Sequence, residues 1–235
     1  MAGSGAFSIV PVIDLKGGLV VRARAGERGS YAPIATPLAA SAEPVAVVAG
    51  LVRAWPATSL YIADLDAIAG AGEHRADVAR IAKRFGDLEL WVDAGFSCLD
   101  DLDAYGLPRN ARPVIGSESQ RDAAFLRARG GACILSLDSK GEERLDPAAL
   151  EDDPSLWPET VIVMTLARVG TGTGPDLERL KAVRARAPDR RVVAAGGVRD
   201  MADVAALAAI GIAGALVATA LHDGRIRRPK REGEA

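Results

Sequence analysis

Ile13-Asp14-Leu15-Lys16-Gly17-Gly18 closes the first apolar run of the chain, and Leu137-Asp138-Ser139-Lys140-Gly141 closes another run halfway along it. Each reads as a buried strand ending in Asp-x-Lys-Gly. A carboxylate delivered by each of two equivalent strand ends can face the other across one pocket, which is the arrangement acid/base chemistry needs. Working outward, short apolar runs alternate with longer amphipathic segments. Strands are expected at Phe7–Asp14, Ser59–Asp64, Leu88–Asp93, Pro113–Gly116, Ala132–Asp138, Thr160–Thr165, Arg191–Gly196 and Gly214–Ala218. They are apolar on both faces, as buried parallel strands are. Helices are expected at Pro44–Trp55, Ala76–Phe85, Ser119–Ala128, Pro175–Arg186 and Asp200–Ile210, where apolar residues recur at helical spacing. Pro175 suits a first helical turn and Asp200 an N-cap.

Eight such units predict an α/β fold, a (β/α)8 TIM barrel spanning residues 1–226 as a single domain, with 227–235 as a disordered basic tail. An open doubly wound sheet is the alternative. It is disfavoured because no Gly-x-Gly-x-x-Gly follows the first strand and the two halves match. Gly95 to Gly197 and Gly116 to Ala218 are each 102 positions, and Asp64 to Thr165 is 101. Asp14 to Asp138 is 124, so the first half carries about 22 additional residues. These fall in Ala23–Glu43, a long loop at the carboxyl end of strand one, where functional lids occur; a disordered insertion is the alternative. Arg24, Arg28 and Tyr31 are its candidate ligand contacts.

The 235 residues are 49% hydrophobic and 26% charged, with a formal net charge of -2. That balance argues against nucleic acid or an anionic membrane as partner. No apolar run approaches a membrane span. Met1–Ser8 lacks a positive region followed by a long apolar core, so no signal peptide is expected, and the location expected is cytoplasmic. Cys98 and Cys133 are too few for a disulfide framework and read as reduced core or near-core thiols. The partner expected is a small phosphorylated metabolite, bound by a monomer or weak homo-oligomer.

Asp14 and Asp138 are the strongest chemical pair, since a carboxylate at the carboxyl end of a barrel strand lies on the catalytic face. Low solvation would hold one protonated as acid while the other stays ionised as base. They could instead each cap the adjacent Lys-Gly turn. Gly196-Gly197 after strand seven and Ala218-Thr219 after strand eight have the order of a barrel phosphate site, with Thr219 adding a hydroxyl donor. A tight strand-to-helix turn is the structural alternative. Arg168–Pro175, containing Gly170, Thr171 and Gly172, is a hydroxyl-rich loop able to close over a substrate, with a simple turn as the alternative. His74 and His222 do not suggest a metal site; His74, in a polar stretch, reads as solvent-facing. Asp64 and Asp66 end strand two, one expected to face the pocket and the other to support a turn.

Over nearly its whole length the chain resembles the HisA/HisF family of histidine-biosynthesis barrels. The carrying segments are Val12–Gly18 with Val20-Val21-Arg22, Ala63–Asp66, Ser136-Leu137-Asp138, Gly170-Thr171 with Gly174-Pro175, Gly196-Gly197-Val198, and Leu221–Ile226. The opening motif is closer to the HisA isomerase than to the HisF cyclase. Ala25–Tyr31 and Ile62–Ile68 look most like a HisA/HisF-related branch associated with tetrahydromethanopterin-type one-carbon metabolism. The resemblance implies an Amadori rearrangement of an aminoaldose carrying two phosphates, with no cofactor and no metal. By motif, Asp14 would be the general base, Asp138 the general acid, Thr171 the catalytic-loop threonine and Arg22 a substrate-binding arginine. Gly196, Gly197, Ala218 and Thr219 would form one phosphate site, and Gly95, Gly116 and Ser117 the other.

Two departures stand out. Where the family usually has Gly-Gly-Gly-Ile-Arg after strand three, this chain has Asp93-Ala94-Gly95-Phe96-Ser97, and Glu118 follows Gly116-Ser117. Thr165 and Val169 stand where the isomerase typically has aspartates. The first-half phosphate site is therefore altered, which predicts a substrate with one phosphate and a neutral or cationic far end. The leading expectation is a HisA-like isomerase of a phosphorylated aminosugar-like metabolite. The alternatives are a diverged lyase or synthase on a mono-phosphate metabolite of one-carbon-cofactor biosynthesis, and a non-catalytic metabolite-binding barrel.

Overall fold

In the computed structural model, residues 6–228 are described; of the expected basic tail, 229–235 lie outside the described residues. Eight parallel strands close into a barrel: β1 (Ser8–Lys16), β3 (Ser59–Asp64), β4 (Glu89–Asp93), β5 (Ala111–Gly116), β6 (Ile134–Lys140), β8 (Thr160–Thr165), β9 (Arg191–Ala195) and β10 (Gly214–Val217). Closure is made by β10 on β1, from Ser8 opposite Gly214 to Pro11 opposite Val217. Two short antiparallel strands sit outside this circuit. β2 (Leu19–Val21) folds back on β1, and β7 (Glu143–Arg144) folds back on β6. Both therefore occur at the same place in each half. They account for the repeated Lys-Gly: Gly17, Gly18 and Gly141 take φ of 57°, 76° and 67°, the left-handed conformations that tight hairpin turns require.

The outer layer comprises α1 (Pro44–Ala54), α2 (Leu65–Ile68), α3 (Arg75–Arg84), α4 (Leu99–Tyr105), α5 (Ala124–Arg129), α6 (Leu177–Arg186), α7 (Met201–Ala209) and α8 (Thr219–His222). Local chemistry sets their starts. Asp200 caps α7 by accepting from the Ala202 and Asp203 amides, as expected. α6 begins two residues after Pro175, because the Asp176 carboxylate accepts from the Arg179 amide and makes Asp176 the cap. α5 begins at Ala124, five residues later than expected; Ser117–Ser119 forms a separate 3-10 turn. α2, α4 and α8, at four to seven residues, are too short to register as helical periodicity.

Alternation along the strands sorts their side chains into two cores. Ile9, Ile13, Leu60, Ile62, Leu90, Val92, Ile115, Leu135 and Val192 face the helices. Val10, Tyr61, Trp91, Val114, Ile134, Ile162, Val193 and Leu216 fill the barrel interior. Counting by twos from the interior set carries Val10 and Val12 to Asp14, Trp91 to Asp93, and Ile134 and Ser136 to Asp138. The same count puts Asp64 on the helix side.

That parity corrects the reading of Asp64 and Asp66: both hold turns and neither lines the cavity. Asp64 is buried and accepts from the Ala67 amide at 3.1 Å, the His74 amide at 2.6 Å and the Tyr105 hydroxyl at 2.9 Å. Asp66 accepts from the Gly17 amide at 2.7 Å and lies 2.8 Å from His74 Nε2. His74 is accordingly not solvent-facing, its side chain being 12% exposed between Asp66 and Asp77. The thiols divide: Cys133 is buried, whereas Cys98, just before α4, is exposed.

Candidate functional site

The cavity opens at the carboxyl ends of the barrel strands, and Asp14, Asp93 and Asp138 line it together with Glu118. Neither Asp14 nor Asp138 caps its Lys-Gly turn. The Asp14 carboxylate bonds to none of the described residues. Asp138 accepts from Ser136 Oγ at 2.6 Å and from the Glu118 amide at 3.4 Å. Burial pushes Asp138 up to about 8, against the Ser136 hydrogen bond and with added repulsion from Asp93 and Glu118. Burial likewise raises Asp14 to about 7, and the nearby Arg28 guanidinium opposes that rise. Asp93 is held at about 6, raised by burial and lowered by the Gly95 amide. At neutral pH the pair can thus present one protonated and one ionised carboxyl, the division acid/base catalysis uses.

Tyr61 also lines the cavity, and its hydroxyl donates to Asp93 Oδ2 at 3.1 Å. Burial and then Asp93, Asp138 and Asp14 all hold its phenol protonated. Sequence reasoning missed Tyr61; its inward position on β3 was the available signal. Arg28, from the loop after β2, bonds Glu118 Oε1 at 2.5 Å. Of the loop candidates, Arg28 and Tyr31 line the cavity, while Arg24 lines a shallow outer groove.

The opposite end is built from the second half. Gly196, Gly197, Ala218 and Thr219 line the cavity with Arg22, Arg225 and His222. Gly197 has φ of 85°, and a Cβ there would lie 2.2 Å from the Gly174 carbonyl oxygen, so only glycine fits. Among the described residues, the Gly197 and Thr219 amides and the Thr219 hydroxyl meet no acceptor. Arg22 and Arg225 bracket Asp223, at 3.3 and 3.4 Å. His222 is buried, pushed down to about 4 by burial and by Arg22, and shares a hydrogen bond with Thr36 Oγ1.

The remaining expected site residues are placed differently. Gly170 and Gly172 line the cavity, but Thr171 lies in the outer groove, its hydroxyl donating to the Arg168 carbonyl at 2.9 Å. Gly95, Gly116 and Ser117 stand behind the acidic end, and Ser117 is buried. Among the described residues, no group of three His, Cys, Asp or Glu side chains is placed to hold a metal ion. No described helix is long and apolar enough to cross a membrane.

Fold and site together define a two-half (β/α)8 barrel with an acid pair at its centre and an open, arginine-flanked cradle at one end. The chain belongs to the histidine biosynthesis protein family, whose model matches residues 8–227, the HisA/HisF barrels. It is 33% identical to an imidazole-4-carboxamide isomerase of Rubrobacter xylanophilus, over 93% of each chain; that enzyme's name specifies two phosphoribosyl groups. It is 30% identical to phosphoribosyl isomerase A of Streptomyces coelicolor, covering 92% of this chain and 93% of that one. It is also 29% identical to an uncharacterized protein of Methanocaldococcus jannaschii, over 93% and 94% of the two chains.

Proposed function

We propose that this protein is an acid/base isomerase of a phosphorylated sugar-like metabolite, with Asp14 as base and Asp138 as acid. Isomerase is the activity in the names of two of the relatives above, those of Rubrobacter xylanophilus and Streptomyces coelicolor. The observation that carries the reading is the inward pair of strand-end aspartates opening into one cavity, raised to about 7 and about 8. Protonated Asp138 gives its proton to the ring oxygen of an aminoaldose, and the C1–O bond breaks as the imine forms. Ionised Asp14 takes the C2 proton, leaving an enol-amine that tautomerises to the aminoketose. No electrons are gained or lost overall. The Gly197 and Thr219 donors hold a phosphate, with Arg22 supplying charge. Thr171 stays on a loop that closes toward the substrate. A binding-only barrel has no use for two buried carboxyls poised near neutrality.

The test offers the purified protein a panel of phosphorylated aminoaldoses in D2O, including the bis-phosphate substrate of the isomerase relatives and mono-phosphate analogues. Aldose-to-ketose conversion with loss of the C2 proton and entry of solvent deuterium at C1 is expected for at least one member. Asp14→Asn and Asp138→Asn should each lower kcat by about 10²–10⁴-fold. No conversion across the panel, or conversion indifferent to both substitutions, rules the reading out.

A further inference from the structure

The two halves share a chain offset of 102, so each donor of the open cradle has a counterpart at the other end: Gly197 matches Gly95, Thr219 matches Ser117, and Ala220 matches Glu118. In the first half the Gly95 amide, the Glu118 amide and the Ser117 hydroxyl are already engaged, while the Ser117 amide meets no acceptor among the described residues. The Gly95 amide donates to Asp93 Oδ1 at 3.1 Å. The Glu118 amide points at Asp138 Oδ2, 3.4 Å away. The Ser117 hydroxyl donates to the Leu145 carbonyl at 2.8 Å and accepts from the Asp138 amide at 2.9 Å. Two of the acceptors are the protein's own carboxyl groups, Asp93 and Asp138, standing where an incoming phosphate would need the same amides. A third carboxylate completes that wall: the space beyond Gly116 Cα is bounded by Asp138 Oδ2, Asp93 Oδ2 and the Glu118 side chain.

The charge along the cavity is correspondingly polarised. Arg22 and Arg225 line the Thr219 end, whereas the other end is lined by carboxylates and met by one loop cation, Arg28, already paired with Glu118. A phosphate there would desolvate beside like charge and find two of its amides and its hydroxyl donor taken. A group that donates hydrogen bonds would find acceptors.

We propose that the cavity takes a substrate with a single phosphate, held at the Gly197/Thr219 end, whose far end is a hydrogen-bond-donating amine or hydroxyl facing Asp93 and Glu118. This rests on the isomerase reading for its phosphate end and adds the identity of the other. Burial raises Asp93 and Asp138, consistent with a wall short of positive charge.

The experiment is calorimetric titration of the full chain with three matched series of graded length: ω-aminoalkyl phosphates, ω-hydroxyalkyl phosphates and α,ω-alkane bisphosphates. The best amino or hydroxy probe should bind at least about tenfold tighter than the bisphosphate of equal length. Glu118→Gln and Asp93→Asn, checked for folding by thermal melts, should shrink that ratio. Bisphosphates that bind as tightly as the others, or tighter, overturn the inference while leaving the phosphate end standing. A ratio unchanged in both folded variants also overturns it. Failure of every probe to bind removes the phosphate cradle and with it the isomerase reading.

Discussion

Asp138 illustrates what burial does to one carboxyl. Its folded value of about 8 lies above the ordinary 3.8, so between those limits the folded chain binds more protons than the unfolded one. The stability this group contributes is fully present below about pH 4 and is lost as pH rises through 8. Asparagine mimics the protonated acid, so Asp138→Asn should gain on the parent as pH rises. Even a contribution of about 1 kcal/mol raises Tm by roughly 2–4 °C in a chain of this size. Melting curves from pH 5 to 9 check it; a gap that stays constant or narrows with rising pH would contradict the burial account. Asp138 as a candidate acid was legible from its place at a strand end. Which aspartate of the pair stays protonated was not, because that depends first on burial within the closed barrel and then on repulsion from Asp93 and Glu118, 45 and 20 residues away in sequence.

At the scale of elements, the long loop after β2 and the loop after β8 act as one unit. The Ala25 amide donates to the Val169 carbonyl at 2.8 Å, and a Cβ on Gly170 would lie 2.3 Å from the Ala23 carbonyl oxygen. Through this packing the first-half insertion brings Arg28 and Tyr31 over the cavity. The loop thereby tunes the barrel's chemistry, since Arg28 favours the ionised form of Asp14. In Arg28→Gln that support is gone; if Asp14 is the base of the proposed isomerisation, the acidic limb of the kcat/KM profile should move to higher pH. A pH–rate series in both proteins measures the displacement; an unmoved limb would mean that Arg28 does not reach Asp14 in solution. The loop's length was evident from the 22-residue mismatch between halves. The pairing of Arg28 with Glu118 was not, because no local pattern links a loop residue to a turn 90 positions later.

For the whole molecule, closure of the barrel depends on the β10–β1 seam, where first and last strands meet. Gly214 sits opposite Ser8, and a Cβ there would lie 2.5 Å from the Ser8 carbonyl oxygen. Gly214→Ala should therefore push the seam apart and cost about 1–3 kcal/mol, as overpacking does. Gly86→Ala, at a position with open space around it, is the control and should stay within about 0.5 kcal/mol. Denaturant unfolding of the two variants makes the comparison; equal stabilities would show that the seam can relax without cost.

By itself the chain determined the eight-strand order, the half-barrel repeat, the family and the positions of Asp14, Asp138, Gly197 and Thr219. These are properties of local pattern: apolar runs of strand length, glycines at turns, and motifs that end strands. Tertiary structure alone decided which faces Asp64 and Asp93 take. It sent Asp64 to the helices and Asp93 to the cavity, set Tyr61 among three carboxyl groups, and engaged the Gly95 and Glu118 amides and the Ser117 hydroxyl with protein acceptors. The physical reason is that strand parity, desolvation and hydrogen-bond occupancy are fixed by neighbours that the closed barrel brings together and the sequence keeps far apart.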